Sequence, residues 1–102
     1  MAKPDLNKVH AGDKNSIIAA MLCDASFYRM NGIIEAVKHK YKEPAVIRQI
    51  RNLITDKTGI FSLTGGYNVS DFAYAALDVL GVESYTGNEE KVRMIIESKF
   101  EF

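Results

Sequence analysis

The sequence lacks three features that would place it in a specialised class. It has a single cysteine, Cys23, so no internal disulfide can form. Its 13 Lys and Arg residues balance 13 Asp and Glu residues, which removes the long-range field expected of a general nucleic-acid or membrane-surface binder. No apolar run approaches the roughly 18–20 residues of a spanning helix, and the first residues lack the apolar stretch of a signal peptide. We therefore predict a cytoplasmic protein with no membrane contact.

The composition is that of one folded domain. The chain has 102 residues, of which 47% are hydrophobic and 25% are charged, and single domains cluster near ~100–150 residues. Residues 1–12 are polar and show no periodicity, which predicts a flexible N-terminal arm. Residues 13–102 are predicted to form a single helical domain.

Beyond the arm, the apolar spacing is helical, and no stretch alternates for long enough to indicate a strand. The prediction is an all-α fold of about five helices. Asp13 is the expected N-cap of the first helix, Pro44 opens the third, and Asn68 or Ser70 caps the fourth. Gly81 is expected to end the fourth helix. The predicted helices cover approximately residues 14–23, 26–41, 44–54, 70–80 and 89–100.

Two helix pairs show a weak internal repeat, with an offset of about 41 to 46 residues. The segments EPAVIRQIRNLITD and VSDFAYAALDVLG resemble HEAT or armadillo-type helix pairs, in which a capped helix with a small-residue face ends in leucine and glycine. The resemblance implies antiparallel helix pairs, arranged either as a HEAT-like array or as a compact orthogonal bundle.

Charge is divided unevenly along the chain. Residues 29–57 carry seven basic and three acidic residues, whereas residues 68–102 carry seven acidic and three basic ones. On the fourth helix Asp71, Tyr74 and Asp78 recur at steps of three and four, opposite the apolar face. This spacing predicts an exposed tyrosine between two carboxylates, which suits a basic protein surface. The alternative is that Tyr74 is half-buried against a neighbouring helix.

The loop at residues 58–67 contains Ile60, Phe61, Leu63 and Tyr67 but no charged residue. A solvent-exposed connection rarely has this composition, so some of the loop must be covered. Either it folds back and fills the core, or it presents Phe61 and Tyr67 as anchors for a partner.

The basic half of the chain offers a second candidate surface. Arg48 and Arg51 lie three residues apart on the third helix, opposite its apolar stripe, and could grip a phosphate or carboxylate together with Lys38 and Lys40. The alternative is an ordinary solvated helix face.

No catalytic or metal-binding pattern is visible. His10 and His39 have neither HExxH spacing nor a cysteine partner for zinc. No Gly-Lys-Ser/Thr sequence follows Gly65 and Gly66, so a phosphate-binding loop is not supported. We expect neither enzyme activity nor a cofactor, and we interpret Cys23 as a small buried hydrophobe.

The leading hypothesis is a non-enzymatic protein-binding module that acts as a monomer or weak homodimer. The chain is also similar to small bacterial immunity proteins, and that resemblance implies an inhibitor that blocks the active site of a cognate toxin such as a nuclease. The alternative is nucleic-acid binding through the basic face, which the neutral net charge disfavours. The candidate partner-binding residues are Phe61, Tyr67, Asp71, Tyr74 and Asp78, and the candidate phosphate-binding residues are Lys38, Lys40, Arg48 and Arg51.

Overall fold

A computed structural model describes residues 3–60 and 66–100, and within these ranges the chain forms six α-helices. The only β pairing among the described residues is a single antiparallel bridge between Gly59 and Asn68. The predicted all-α class is therefore confirmed, with one helix more than expected. The helices are α1 Leu6–His10, α2 Lys14–Leu22, α3 Ser26–Lys38, α4 Pro44–Asn52, α5 Val69–Val79 and α6 Glu90–Ser98.

Local side-chain chemistry sets the ends of α2 and α5 as the sequence indicates. The Asp13 side chain accepts a hydrogen bond from a first-turn backbone amide of α2. At α5 the cap is Asn68 rather than Ser70: its Oδ1 accepts from Asp71 N at 3.2 Å, while Asn68 N donates to Asp71 Oδ2 at 3.0 Å. This reciprocal pair is a capping box. Gly81, with φ +75°, follows the last turn of α5.

Helix α3 is shorter than its periodicity predicts, because the chain reverses after Lys38. Lys40 adopts a left-handed conformation with φ 55°, and Tyr41 N donates back to Ala36 O at 2.9 Å. The Tyr41 hydroxyl then donates to Gly12 O at 2.5 Å. Tyr41 therefore anchors the turn between α1 and α2 instead of extending the α3 stripe.

The segment predicted as a flexible arm contains α1. The Asp5 side chain caps this helix by accepting from Asn7 N at 2.9 Å, and Val9 is completely buried. Helix α1 contacts α2 and α3. One buried valine in five residues produces no periodicity, which is why the sequence did not indicate this helix.

Helices α2, α3 and α5 each pack against three neighbouring helices. Helix α2 packs most extensively against α3, while α5 contacts α3, α4 and α6. The second and third predicted helices, here α3 and α4, were expected to form an antiparallel pair, yet each packs mainly against α2 and α5. The largest fully buried side chains among the described residues come from all six helices and from Phe100, which follows α6: Val9, Ile17, Met21, Ile33, Val46, Ile50, Val69, Phe72, Leu77, Val92, Ile95 and Phe100.

A largely buried ion pair joins α3 to the segment that leads into α5. Arg29 Nε lies 2.9 Å from Asp56 Oδ2, and the two side chains are only 11% and 18% exposed. Thr58 N donates to the same carboxylate at 3.0 Å, and Ser70 N donates to the Asp56 carbonyl at 2.7 Å. Burial opposes ionisation of Asp56, but hydrogen bonds from Thr58 and the charge of Arg29 outweigh it and hold its pKa below the ordinary 3.8.

We expect Asp56→Asn to lower the free energy of unfolding by about 1–3 kcal/mol at neutral pH, less than the loss of a fully buried pair because solvent reaches the carboxylate. Since folding lowers this pKa, the stabilisation is complete above the unfolded pKa and is lost as the pH falls through the folded pKa. Urea unfolding of both proteins at neutral pH and near pH ~2 measures the effect, and the difference between them should shrink in acid.

The matched control is Asp24→Asn, because Asp24 is exposed and adjoins the same end of α3. It should change the free energy of unfolding by less than about 0.5 kcal/mol. A wild-type to Asp56→Asn difference that stays constant between the two pH values would exclude the carboxylate charge as the source of stability.

Candidate functional site

Two clefts lie on different elements of the described residues and differ in their chemistry. The first lies between α5 and the connection of residues 80–89, with a volume of about 360 Å³. We call it the tyrosine cleft, because Tyr74 and Tyr85 line it together with Glu83, Glu89 and Lys57. The two tyrosine rings lie 5.6 Å apart at an interplanar angle of 55°.

Backbone hydrogen bonds hold the connection against the end of α5. Val82 N and Glu83 N both donate to Leu77 O, at 3.0 and 3.1 Å. Tyr85 N donates to Asp78 Oδ2 at 2.8 Å. The Asp78 carboxylate therefore positions Tyr85 beside Tyr74 by binding the Tyr85 backbone amide.

The Tyr85 phenol is fixed from its other side. Glu89 N donates to the Tyr85 hydroxyl at 3.1 Å, and the Arg93 guanidinium lies 5.8 Å from the ring centroid. Arg93 also donates to Gly87 O at 2.6 Å. A Cβ at Gly87 would collide with the Tyr85 phenol, so a larger residue there would displace the phenol from this position. The tyrosine pair is thus preorganised.

The charges of the tyrosine cleft are partly neutralised within the molecule. Glu83 Oε1 accepts from Arg51 Nη1 at 2.8 Å, and both side chains stay about half exposed. Lys57 Nζ lies 3.3 Å from Ser70 Oγ. Glu89 is exposed and is in no ion pair with another described residue. The cleft therefore presents two aromatic rings, the unpaired carboxylate of Glu89 and the ammonium group of Lys57, which has no ion-pair partner among the described residues.

The predicted stripe of Asp71, Tyr74 and Asp78 is only partly present. Asp71 is 8% exposed and serves the capping box of α5, so the prediction of an exposed carboxylate at this position is wrong. Tyr74 is half-buried, as in the alternative interpretation, but Tyr85 of the connection after α5 lies against its ring, where that interpretation had a neighbouring helix. Tyr67 is half-buried with its ring centroid 6.0 Å from that of Phe72. Phe61 lies outside the described residues.

The second cleft lies where the C-terminal ends of α3, α5 and α6 meet, with a volume of about 580 Å³. We call it the lysine cleft, because its lining includes four lysines and no acidic residue among the described ones. Val37, Val79, Leu80 and Phe100 supply the apolar part of the lining. The four lysines are Lys38, Lys40, Lys42 and Lys99.

The four predicted phosphate-binding residues do not share one surface feature. Lys38 and Lys40 line the lysine cleft, whereas Arg51 is paired with Glu83. Arg48 is exposed on α4. Sequence reasoning missed Lys99 because only the packing of α6 brings it to the end of α3. It missed Tyr85 for the same reason: no periodicity relates a loop residue to the helix it covers.

Apart from the two clefts, a cluster of ionisable side chains connects α1 to α3 around Glu35, which is 5% exposed. His10 Nδ1 lies 3.1 Å from Glu35 Oε2, and His39 Nε2 lies 3.5 Å from Glu35 Oε1. A Cβ at Gly12 would clash with the His39 ring, so the α1–α2 turn sits directly on this group. Within residues 3–60 and 66–100, no set of three or more His, Cys, Asp or Glu side chains is arranged to hold a metal ion.

Comparison with protein-family models, with characterised proteins and with solved structures found no match to this chain. The resemblance to HEAT-type helix pairs and to immunity proteins stays a prediction from the sequence. No helix in the described part of the chain has the length and apolar character needed to cross a bilayer.

Proposed function

We propose that this chain is a non-enzymatic protein-binding module whose contact surface is the tyrosine cleft. The observation that carries the proposal is the fixed pair of Tyr74 and Tyr85, whose rings lie 5.6 Å apart at the mouth of a preformed cleft. Tyrosine concentrates at the centres of protein interfaces because it buries a large area at a low cost in side-chain entropy. A pair that is already ordered lowers that cost further.

The chemistry of the cleft favours a basic side chain of the partner. The Tyr74 ring, and the face of Tyr85 that Arg93 does not cover, attract a cation. Glu89 adds an exposed carboxylate with no ion-pair partner in the described chain. Arg51 already neutralises Glu83, so we assign the main attraction to the rings and to Glu89. The two rings touch, so the partner segment would place an arginine or lysine against their exposed faces rather than between them. The aliphatic stem of that residue would lie beside Leu77.

In its narrower form, the proposal is that the partner is a nuclease toxin. Proteins that act on nucleic acids have basic clefts, because they must neutralise phosphates, and such a surface complements the tyrosine cleft. The chain would then act by steric occlusion of the toxin's active site. Co-expression with the product of an adjoining toxin gene should restore growth, and Tyr85→Ala should abolish the protection.

We expect Tyr74→Ala and Tyr85→Ala each to weaken partner binding by tenfold or more, because each removes one ring of the pair. The experiment captures partners from a lysate of the source organism on immobilised wild-type chain. The affinity of each captured protein for wild type and for the variants is then measured by calorimetry. Circular dichroism checks that the helical content is unchanged.

Phe27→Ala is the matched control, because Phe27 is an aromatic residue that is 42% exposed on α3 rather than at the cleft. It should leave partner affinity within about twofold of wild type. Capture of no protein beyond a blank matrix, or equal affinity for wild type and Tyr85→Ala, would remove the tyrosine cleft as the binding surface.

A further inference from the structure

The lysine cleft carries an excess of positive charge that the described molecule does not neutralise. Lys40, Lys42 and Lys99 form no ion pair with another described residue, and Lys38 has one contact, at 3.9 Å from Glu35 Oε2. Four ammonium groups around one cleft repel each other. An anion in the cleft would relieve this repulsion.

The negative helix ends at the cleft neutralise only part of the positive charge of the four lysines. The C-terminal ends of α3, α5 and α6 meet there, and each carries about half a negative elementary charge. Lysines near such ends stabilise helices, which would give these four lysines a purely structural role. The three ends together offset less than half of the charge of four lysines, which leaves a site that favours a ligand with more than one negative charge.

Backbone conformation adds a second observation. Lys40 and Lys99 come just after α3 and α6 and have positive φ angles of 55° and 53°. Glycine is the usual residue at such positions, and a non-glycine residue there costs roughly 1 kcal/mol or more. Both lysines line the same cleft, as does Phe100, the third described non-glycine residue with a positive φ, at 62°.

The apolar lining indicates the rest of the ligand. Val79, which is partly exposed, supplies aliphatic lining beside the four lysines, together with the accessible edges of Val37 and Leu80, which are 6% and 3% exposed. The volume of about 580 Å³ is within the range of small-molecule sites. Inorganic phosphate alone would leave this surface exposed to water, whereas an organic ligand would cover it.

We propose that the lysine cleft binds a small organic phosphate monoester, with the phosphate held by the lysines and the organic group against Val37, Val79 and Leu80. A monoester carries a charge of about −1.5 to −2 at neutral pH, which would neutralise most of the positive charge that the helix ends leave at the cleft. Lysine binds phosphate as a point charge, so no bidentate geometry is required. This site is independent of the tyrosine cleft and of its protein partner.

The test is a calorimetric titration of the full chain with phenyl phosphate at low salt. We expect saturable binding at one site, and at least fivefold weaker binding of inorganic phosphate, which lacks the apolar group. Benzyl alcohol, which lacks the phosphate, should not bind. No saturation at millimolar phenyl phosphate, or equal affinity for phenyl phosphate and inorganic phosphate, would overturn the proposal.

Two charge-matched double variants locate the site. Lys40→Gln with Lys42→Gln should weaken phenyl phosphate binding at least tenfold. Lys3→Gln with Lys8→Gln removes the same charge from exposed positions outside the cleft and should leave the affinity within about twofold. An equal loss in both double variants would mean that net charge, rather than the cleft, attracts the ligand.

Titrations with two further ligands distinguish binding of a free monoester from binding of a nucleic acid or of a lipid headgroup. A single-stranded oligonucleotide of about 12 nucleotides and vesicles containing phosphatidic acid should both bind more weakly than phenyl phosphate, because the cleft admits one small group. Tighter binding of the oligonucleotide would support the nucleic-acid function considered from the sequence instead. Tighter binding of the vesicles would point to a lipid headgroup, and either result would overturn the proposal.

Discussion

Replacing Phe72 by alanine should lower the free energy of unfolding by about 3–5 kcal/mol. Phe72 is 1% exposed, and its ring centroid lies 6.0 Å from that of Tyr67 and 6.1 Å from that of Phe100. It therefore joins α5 to the segment before α5 and to the residues that follow α6. The lost ring leaves a cavity bordered by separate segments, which cannot all move inward to fill it. For a domain of this size, the melting temperature should fall by roughly 15–25 °C.

Phe27→Ala provides the same chemical change at an exposed position. Phe27 is 42% exposed, so this variant should lose less than about 1 kcal/mol. Thermal unfolding followed by circular dichroism, together with urea unfolding, measures both variants. Similar losses for Phe72→Ala and Phe27→Ala would show that Phe72 is not in the main core.

Replacing Gly32 by valine should destabilise the protein by about 3 kcal/mol or more, because α2 and α3 approach closely at this residue. A Cβ at Gly32 would lie 2.7 Å from Met21 Cγ and 3.0 Å from Ile17 O. The methionine side chain can move, but the carbonyl oxygen belongs to the α2 backbone and cannot move without displacing the helix. Valine has a better helix propensity than glycine by only a few tenths of a kcal/mol. The clash therefore outweighs the gain.

Gly59→Val is the matched control for Gly32→Val. Gly59 lies in the extended segment that pairs with Asn68, and a Cβ there meets no atom of the described residues within 4 Å. A β-branched residue suits extended backbone, so we expect a change within about 0.5 kcal/mol. The loss in free energy of unfolding for Gly32→Ala should lie between those for Gly59→Val and Gly32→Val. A Gly32→Val protein as stable as wild type would mean that α2 and α3 are separated more widely than the structure has them.

Helix positions could be predicted because their signals are local. The N-caps at Asp13 and Asn68 each depend on hydrogen bonds within three residues. The apolar stripe of α5 depends on a spacing of three and four along one helix, and its members Phe72 and Leu77 are buried as that spacing requires. Helix α1 has too few residues to show a periodicity and was missed for that reason.

Exposure could not be predicted with the same success, since it depends on which segment covers a helix face. Asp71 and Asp78 both lie opposite the apolar stripe of α5. Asp71 is buried at the capping box, and Asp78 is partly covered by the connection that contains Tyr85. Their spacing predicts exposure only for an isolated helix. In the folded chain both carboxylates accept hydrogen bonds from neighbouring backbone amides.

The amino-acid sequence by itself determined the all-α class, most helix positions and several helix caps, because periodicity and capping arise from residues a few positions apart. Tertiary structure alone decided that Tyr85 meets Tyr74 and that Lys99 joins Lys38, Lys40 and Lys42 around one cleft. Contacts between residues so far apart along the chain follow from how six helices share a core, and no local pattern in the sequence encodes that arrangement.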